Sequence, residues 1–174
     1  MIYFDHAATS LHKPPQVAKA VYHALLGTGN SGRGVHGASL EASRLIYQTR
    51  EKISQLFNVG DPSRVVFTSN ATESLNIAIQ GLLGPGDHCI TTSLEHNSVL
   101  RPLFLMEKQG VDFTIIPSDK KGCIDVLKIA GAISSKTKMV ILTHGSNVLG
   151  NVTEIQAIGE ICKKHNLLLI LDAS

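Results

Sequence analysis

Four polar positions stand out by residue type and by where they fall. Thr72 sits in Ser69-Asn70-Ala71-Thr72-Glu73-Ser74, just before an apolar helical pattern. His96 lies in Glu95-His96-Asn97, and Asn147 in His144-Gly145-Ser146-Asn147. Asp172 follows the aliphatic run Leu167-Leu168-Leu169-Ile170-Leu171. A hydroxyl at a helix start can hold an anion, an imidazole can stack or carry a proton, an amide can orient a ligand, and a carboxylate can hold a cation. Each also has a plain structural reading. The Thr72 stretch can be an ordinary strand-to-helix turn, His96 a solvated residue at a helix start, and Asn147 a turn residue before Val148-Leu149-Gly150. Asp172 is the hardest to read that way, because a carboxylate beside buried aliphatics is costly without a cation or donors.

The Thr72 stretch carries its own local logic. Asn70 suits an N-cap, and Glu73, three residues later, suits a capping box. The first helical turn leaves backbone N–H groups without intrahelical acceptors, and the helix dipole adds to their pull on an anion. Small residues at Ser69, Ala71 and Ser74 leave room for a phosphate, and the Thr72 hydroxyl can donate to it.

The elements that must position these residues can be read from periodicity. Strands are expected at 65–69, 88–92, 111–116, 139–143 and 167–171, and helices at about 71–83, 97–109, 124–133 and 153–165. Strands alternating with helices predict an α/β fold, a largely parallel sheet with helices on both faces. Ligands of such sheets bind beyond the carboxyl ends of the strands. The polar residues fall at those ends: Asn70 and Thr72; Glu95, His96 and Asn97; His144, Ser146 and Asn147; and Asp172.

Upstream, residues 1–13 are short and irregular. Pro14-Pro15 opens a helix with Val17, Val21 and Leu25 on one face. Gly27 to Gly37 contains GxGxxG twice, but a helix precedes it where the dinucleotide fingerprint needs a strand. It is read instead as a contact loop carrying Asn30, Arg33 and His36. Residues 38–57 form a long helix whose buried stripe is expected to be Ala42, Leu45, Ile46, Thr49, Ile53, Leu56 and Phe57.

Composition narrows the function classes. The 174 residues suit a single core, hydrophobic residues make up 43%, and the formal charge of +2 is too small to imply nucleic acid. No apolar run reaches membrane-spanning length, and the start has no signal-peptide pattern. Cys89, Cys123 and Cys162 have no metal-ligand spacing, which fits a reduced, cytoplasmic setting. The eight histidines are dispersed and show no HExxH-like spacing, which argues against a metal hydrolase.

The order of the motifs carries a resemblance. Tyr3-Phe4-Asp5-His6-Ala7-Ala8-Thr9, Gly29-Asn30-Ser31-Gly32-Arg33-Gly34, Thr68-Ser69-Asn70-Ala71-Thr72-Glu73-Ser74-Leu75-Asn76, Glu95-His96-Asn97-Ser98, His144-Gly145-Ser146-Asn147-Val148-Leu149-Gly150 and Leu171-Asp172-Ala173-Ser174 occur in sequence. The chain resembles the cysteine desulfurase and selenocysteine lyase group of class V aminotransferase-like enzymes. That resemblance implies the fold-type-I scaffold and the cofactor pyridoxal 5'-phosphate. It implies that Ala71 and Thr72 hold the cofactor phosphate, that His96 stacks on the ring and helps move a proton, that Asn147 bonds the ring hydroxyl, and that Asp172 pairs with the ring nitrogen. It places the loop of Asn30, Arg33 and His36 near the active site and the dimer contact, where a loop exposed for solubility is an equal account.

The implied reaction takes L-cysteine to L-alanine and an enzyme persulfide, with L-selenocysteine the close variant and another class V activity also open. A homodimer and a sulfur-acceptor protein are the implied partners. The family's cofactor lysine, sulfur-accepting cysteine and carboxylate-gripping arginine have no match in these residues. The chain is therefore read as an N-terminal segment, 1–13, and a partial large domain, 14–174. It is not expected to be active alone, and an inactive structural or interaction module is the competing reading. The family's sheet also implies that the 65–69 strand lacks inner neighbours here.

Overall fold

The structure, a computed structural model, describes residues 2–174. By internal contacts the chain divides into two compact units, Met1–Phe67 and Thr68–Ser174.

The second unit holds the sheet. Four strands, β1 (His88–Thr92), β2 (Asp112–Ile116), β3 (Thr137–Thr143) and β4 (Leu168–Asp172), lie in the order β2-β1-β3-β4. All pairings are parallel. Helices α3 (Ala71–Leu82), α4 (Asn97–Glu107), α5 (Val126–Gly131) and α6 (Ile155–Lys164) cover it. The period of two along β3 sorts the core. Met139 and Ile141 join Leu75, Ile79, Val99 and Leu103 beneath α3 and α4. Val140 and Leu142 join Ile129, Ile158 and Cys162 beneath α5 and α6. Both faces are thus buried, as expected; the middle strand β3 carries the continuous apolar run Met139–Leu142 that a covered parallel sheet allows, and β1 is buried at every position.

The edges differ from expectation. The unbroken apolar run of β4 predicts burial on both sides, but Leu168 is exposed and Leu169, Ile170 and Leu171 are half-buried. It is an outer strand, with a neighbour on one side alone.

The expected strand at 65–69 does not form. Residues 65–68 belong to no strand, and Val66 and Phe67 are 73% and 47% exposed. A β-branched run is a strand only when another strand supplies its hydrogen bonds, and none does so here.

Connections fix which end of each helix meets the sheet's rim. Leu83 leads through Gly84-Pro85-Gly86-Asp87 into β1. Gly86 takes φ 88° in this turn, a conformation glycine adopts without Cβ strain. Asp87 N–H donates to Gly84 O at 3.0 Å, and Asp87 Oδ2 accepts from Gly84 N–H at 2.8 Å. The carboxyl end of α3 therefore meets the start of β1, and its amino end points to where the strands finish.

The first unit contains α1 (Pro15–Gly27), α2 (Gly37–Leu56) and a 3-10 turn (Pro62–Arg64). Pro15 opens α1, as the Pro-Pro pair suggests. No residue of α1 is buried. The stripe expected on α2 is likewise mostly uncovered: Ala42 is buried, but Leu45, Ile46, Leu56 and Phe57 are exposed. The positions that do bury are Ser39, Ala42 and Ser54. Amphipathic spacing reports which face seeks cover, and α1 buries nothing against it.

Candidate active site

The rim at the carboxyl ends of the strands is built from local rules. Strand order reverses between β1 and β3: β2 lies on one side of β1, and β3 and β4 on the other. Such a reversal opens a crevice where two chain exits diverge.

At the start of α3, Asn70 Oδ1 accepts from Glu73 N–H at 2.8 Å. Glu73 Oε2 reaches back to Ser69, accepting its N–H at 2.7 Å and its hydroxyl proton. The capping box thus forms one residue further back than its usual pattern. The Ser69 bonds hold the Glu73 carboxyl below the usual carboxylate range. Ala71 N–H and Thr72 N–H have no acceptor among the described residues, so two first-turn donors remain available to an anion.

After β1, His96 caps α4. Its Nδ1 accepts from Ser98 N–H at 3.1 Å and lies 2.9 Å from Ser98 Oγ. With Nδ1 accepting, the neutral ring carries its proton on Nε2.

After β3, the chain makes a stapled hairpin. Thr153 N–H donates to His144 O at 2.8 Å, and Ser146 N–H donates to Asn151 O at 3.0 Å. Ser146, itself buried, accepts from Val148 and Leu149 N–H at 3.3 and 3.1 Å. Asn147 stands exposed at the tip. His96 and Asn147 line one cleft of about 340 Å³ with Glu95, Asn97 and Val148. Ala71, Thr72 and Asp172 are not among its lining residues.

Asp172 ends β4, 8% exposed. Its Oδ1 accepts from Ser174 N–H at 3.1 Å and Ser174 Oγ at 2.7 Å. No donor meets Oδ2 among the described residues, and no ion pair includes this carboxyl. By strand alternation, Asp172 follows Ile170 onto the face covered by α3 and α4. The start of α3, the cap of α4 and Asp172 therefore share one face and one end of the sheet.

From sequence, Glu95 is one of the polar residues expected at the rim after β1, with no role of its own. In the structure it is 8% exposed. Oε1 accepts from Thr92 Oγ1 at 2.6 Å and from Thr143 N–H at 3.1 Å. Oε2 is buried and has no partner among the described residues. Burial, with the charge of Asp172 adding to it, pushes the Glu95 carboxyl up to about 7 against the pull of the two donors. The Thr92-x-x-Glu95 spacing was the available signal, since a hydroxyl three residues back can return to a carboxylate.

Asn30, Arg33 and His36 are exposed in the first unit. Asn30 Oδ1 accepts from Gly32 N–H at 2.8 Å, and His36 Nε2 lies 3.0 Å from Ser39 Oγ. A Cβ at Gly34 would run into the Ser39 side chain. Of the cysteines, Cys89 and Cys162 are buried. Burial pushes Cys89 to about 12 and raises Cys162 as well, so neither offers a thiolate near neutrality. Cys123 is exposed. Among the described residues no cluster of His, Cys, Asp or Glu could hold a metal, and no helix is long and apolar enough to cross a membrane.

The family model for aminotransferase class-V matches residues 2–174. A cysteine desulfurase IscS of Photobacterium profundum is 35% identical over 180 aligned residues, covering 99% of this chain and 44% of that protein. An apo cysteine desulfurase structure from Thermococcus onnurineus NA1 superposes with a TM-score of 0.90 at 34% identity, covering 99% of this chain and 44% of that one. A structure of SspA in complex with cysteine gives a TM-score of 0.90 at 31% identity, covering 99% and 50%. The chain spans about half the length of the relatives it matches.

Proposed function

Because the chain belongs to the aminotransferase class-V family, we propose that it forms the amino-terminal part of a pyridoxal-phosphate-dependent cysteine desulfurase. Its reaction would take L-cysteine to L-alanine and leave the sulfur as an enzyme persulfide. The observation that carries this reading is the common location of α3's open first turn, the His96 cap and the buried Asp172 on one face at one end of the sheet.

The donor set fits the cofactor. Two free N–H groups at Ala71 and Thr72, with the Thr72 hydroxyl, suit a phosphate. Asp172, buried and with Oδ2 undonated, suits a ring N–H cation. When bound, pyridoxal phosphate supplies an electron sink for bonds broken at the α-carbon of the amino acid. The residues do the rest. Asp172 would hold the ring nitrogen's proton in place. Asn147 would donate its amide to the ring oxygen. His96 would face the ring and exchange a proton through Nε2, the nitrogen left free by its bond with Ser98. Asn30, Arg33 and His36 form a loop for substrate or dimer contact.

No lysine lines the His96–Asn147 cleft, and we propose that the chain is inactive alone, the cofactor lysine belonging to another part of the protein. L-Selenocysteine offers the same chemistry at the same groups. A homodimer, a sulfur-acceptor protein and a cytoplasmic setting complete the proposal.

The test is to add pyridoxal phosphate and L-cysteine to this chain and to the full-length gene product. The full-length protein should develop a visible band that borohydride fixes to one lysine, and should form alanine. This chain should do neither. A full-length protein that binds no cofactor would end the proposal.

A further inference from the structure

Glu95 is an acid without a counterion at the point where strand order reverses. It leaves the loop after β1, and its side chain crosses to the last residue of β3, accepting Thr143 N–H at 3.1 Å. Thr143 is in register with Asp172 on β4. Both acids are 8% exposed. Neither forms an ion pair among the described residues. The charge of Asp172 on β4 adds to the effect of burial on Glu95, and the Glu95 charge in turn acts on the thiol of Cys89 on β1, which burial keeps neutral.

Two buried carboxyls without a cation do not both ionise at little cost. The hydrogen bonds set the two acids apart. Glu95 Oε1 already takes two donors, from Thr92 and Thr143. Oε2 takes none. A bare anionic oxygen in that position costs far more than an uncharged O–H left without a partner, so the neutral acid is the cheaper form there.

We propose that Glu95 is a positioning residue for Asp172: it stays the uncharged acid, with its proton on Oε2, and leaves Asp172 the single anion facing the cofactor's ring nitrogen. This rests on the cofactor reading above. The coupling runs both ways, so neutralising Asp172 makes Glu95 easier to ionise. A cation arriving at Asp172 therefore loosens the Glu95 proton.

The test is carboxyl carbon NMR of the purified 174-residue chain, labelled at glutamate and aspartate, titrated from pH about 4 to about 9. One glutamate signal should have its midpoint near 7, vanish in Glu95→Gln and move to lower pH in Asp172→Asn. Saturating pyridoxal phosphate should move it the same way in the unaltered chain. A Glu95 midpoint in the ordinary glutamate range overturns the inference without recourse to any variant. A raised midpoint that Asp172→Asn leaves in place overturns it too. Failure of the cofactor reading looks different: pyridoxal phosphate then leaves every midpoint unchanged, while the Asp172→Asn comparison still decides whether the two acids are paired.

Discussion

Thr143 N–H, at the last residue of β3, donates to Glu95 Oε1 at 3.1 Å and ties the exit of β1 to the exit of β3. The same oxygen accepts from Thr92 at 2.6 Å. One acid thereby sets the spacing of the two loops that carry His96 and Asn147, and both residues line the cleft between them.

That acid makes stability depend on pH in a defined direction. The Glu95 carboxyl is raised from 4.5 to about 7 on folding, so the folded chain holds a proton that the unfolded chain releases between those values. Its contribution is full below about 4.5 and is lost as pH rises through about 7. Glu95→Gln should remove this dependence and make the chain more stable than its parent at pH about 8, by on the order of 3 kcal/mol. Urea unfolding of both chains at several pH values checks it. Equal slopes would show that Glu95 is not buried as an acid.

His88 should give the opposite slope. It is buried at the start of β1, with Nδ1 2.8 Å from Thr137 Oγ1 and Nε2 2.9 Å from Thr114 Oγ1. Burial lowers its basicity below 6.5, partly offset by Asp112. The unfolded chain then takes up a proton first as pH falls, so this contribution is full above about 6.5 and is lost below it. His88→Gln should lose stability relative to the parent at neutral pH, with the gap narrowing toward pH about 5. A gap that widens toward acid contradicts the assignment.

The cap of α3 is testable by itself. Asn70→Ala removes the acceptor for Glu73 N–H and should cost about 1 kcal/mol, measured by thermal or urea unfolding. No loss would mean that the first turn of α3, and with it the anion cradle, is held by something else.

Ile79, fully buried on α3 against the sheet, should cost about 2–5 kcal/mol when replaced by Ala. Loss of α3 packing should also weaken the phosphate binding proposed for Ala71 and Thr72. Inorganic phosphate titrated into the variant and the parent compares the two effects.

Much of this arrangement was legible in the chain itself, for identifiable reasons. Asn70 and Glu73 specify a helix start through bonds that span three or four residues. The run at 139–142 is apolar throughout because both faces of a middle strand are covered, whereas β1, His88-Cys89-Ile90-Thr91-Thr92, is buried along its whole length without being apolar throughout. The run at 65–68 misled because strand formation needs a partner, and no periodicity within Val65-Val66-Phe67-Thr68 tells whether one exists. The stripe on α2 misled for the same reason, since spacing marks an apolar face without supplying its cover. The Glu95 bridge was hidden most deeply. Its partner Thr143 lies 48 positions away, and only the register of β1 against β3 brings them together.

The central claim is that Ala71, Thr72, His96, Asn147 and Asp172 serve one ligand at the rim of the sheet. Amide-resolved NMR of the chain, titrated with pyridoxal phosphate alone, tests it most directly. The account predicts that the largest shifts fall at Ala71–Thr72, 96–97, 146–148 and 172–173 and saturate together. Shifts confined to surface lysines, or separate binding curves for the α3 cap and Asp172, would contradict it.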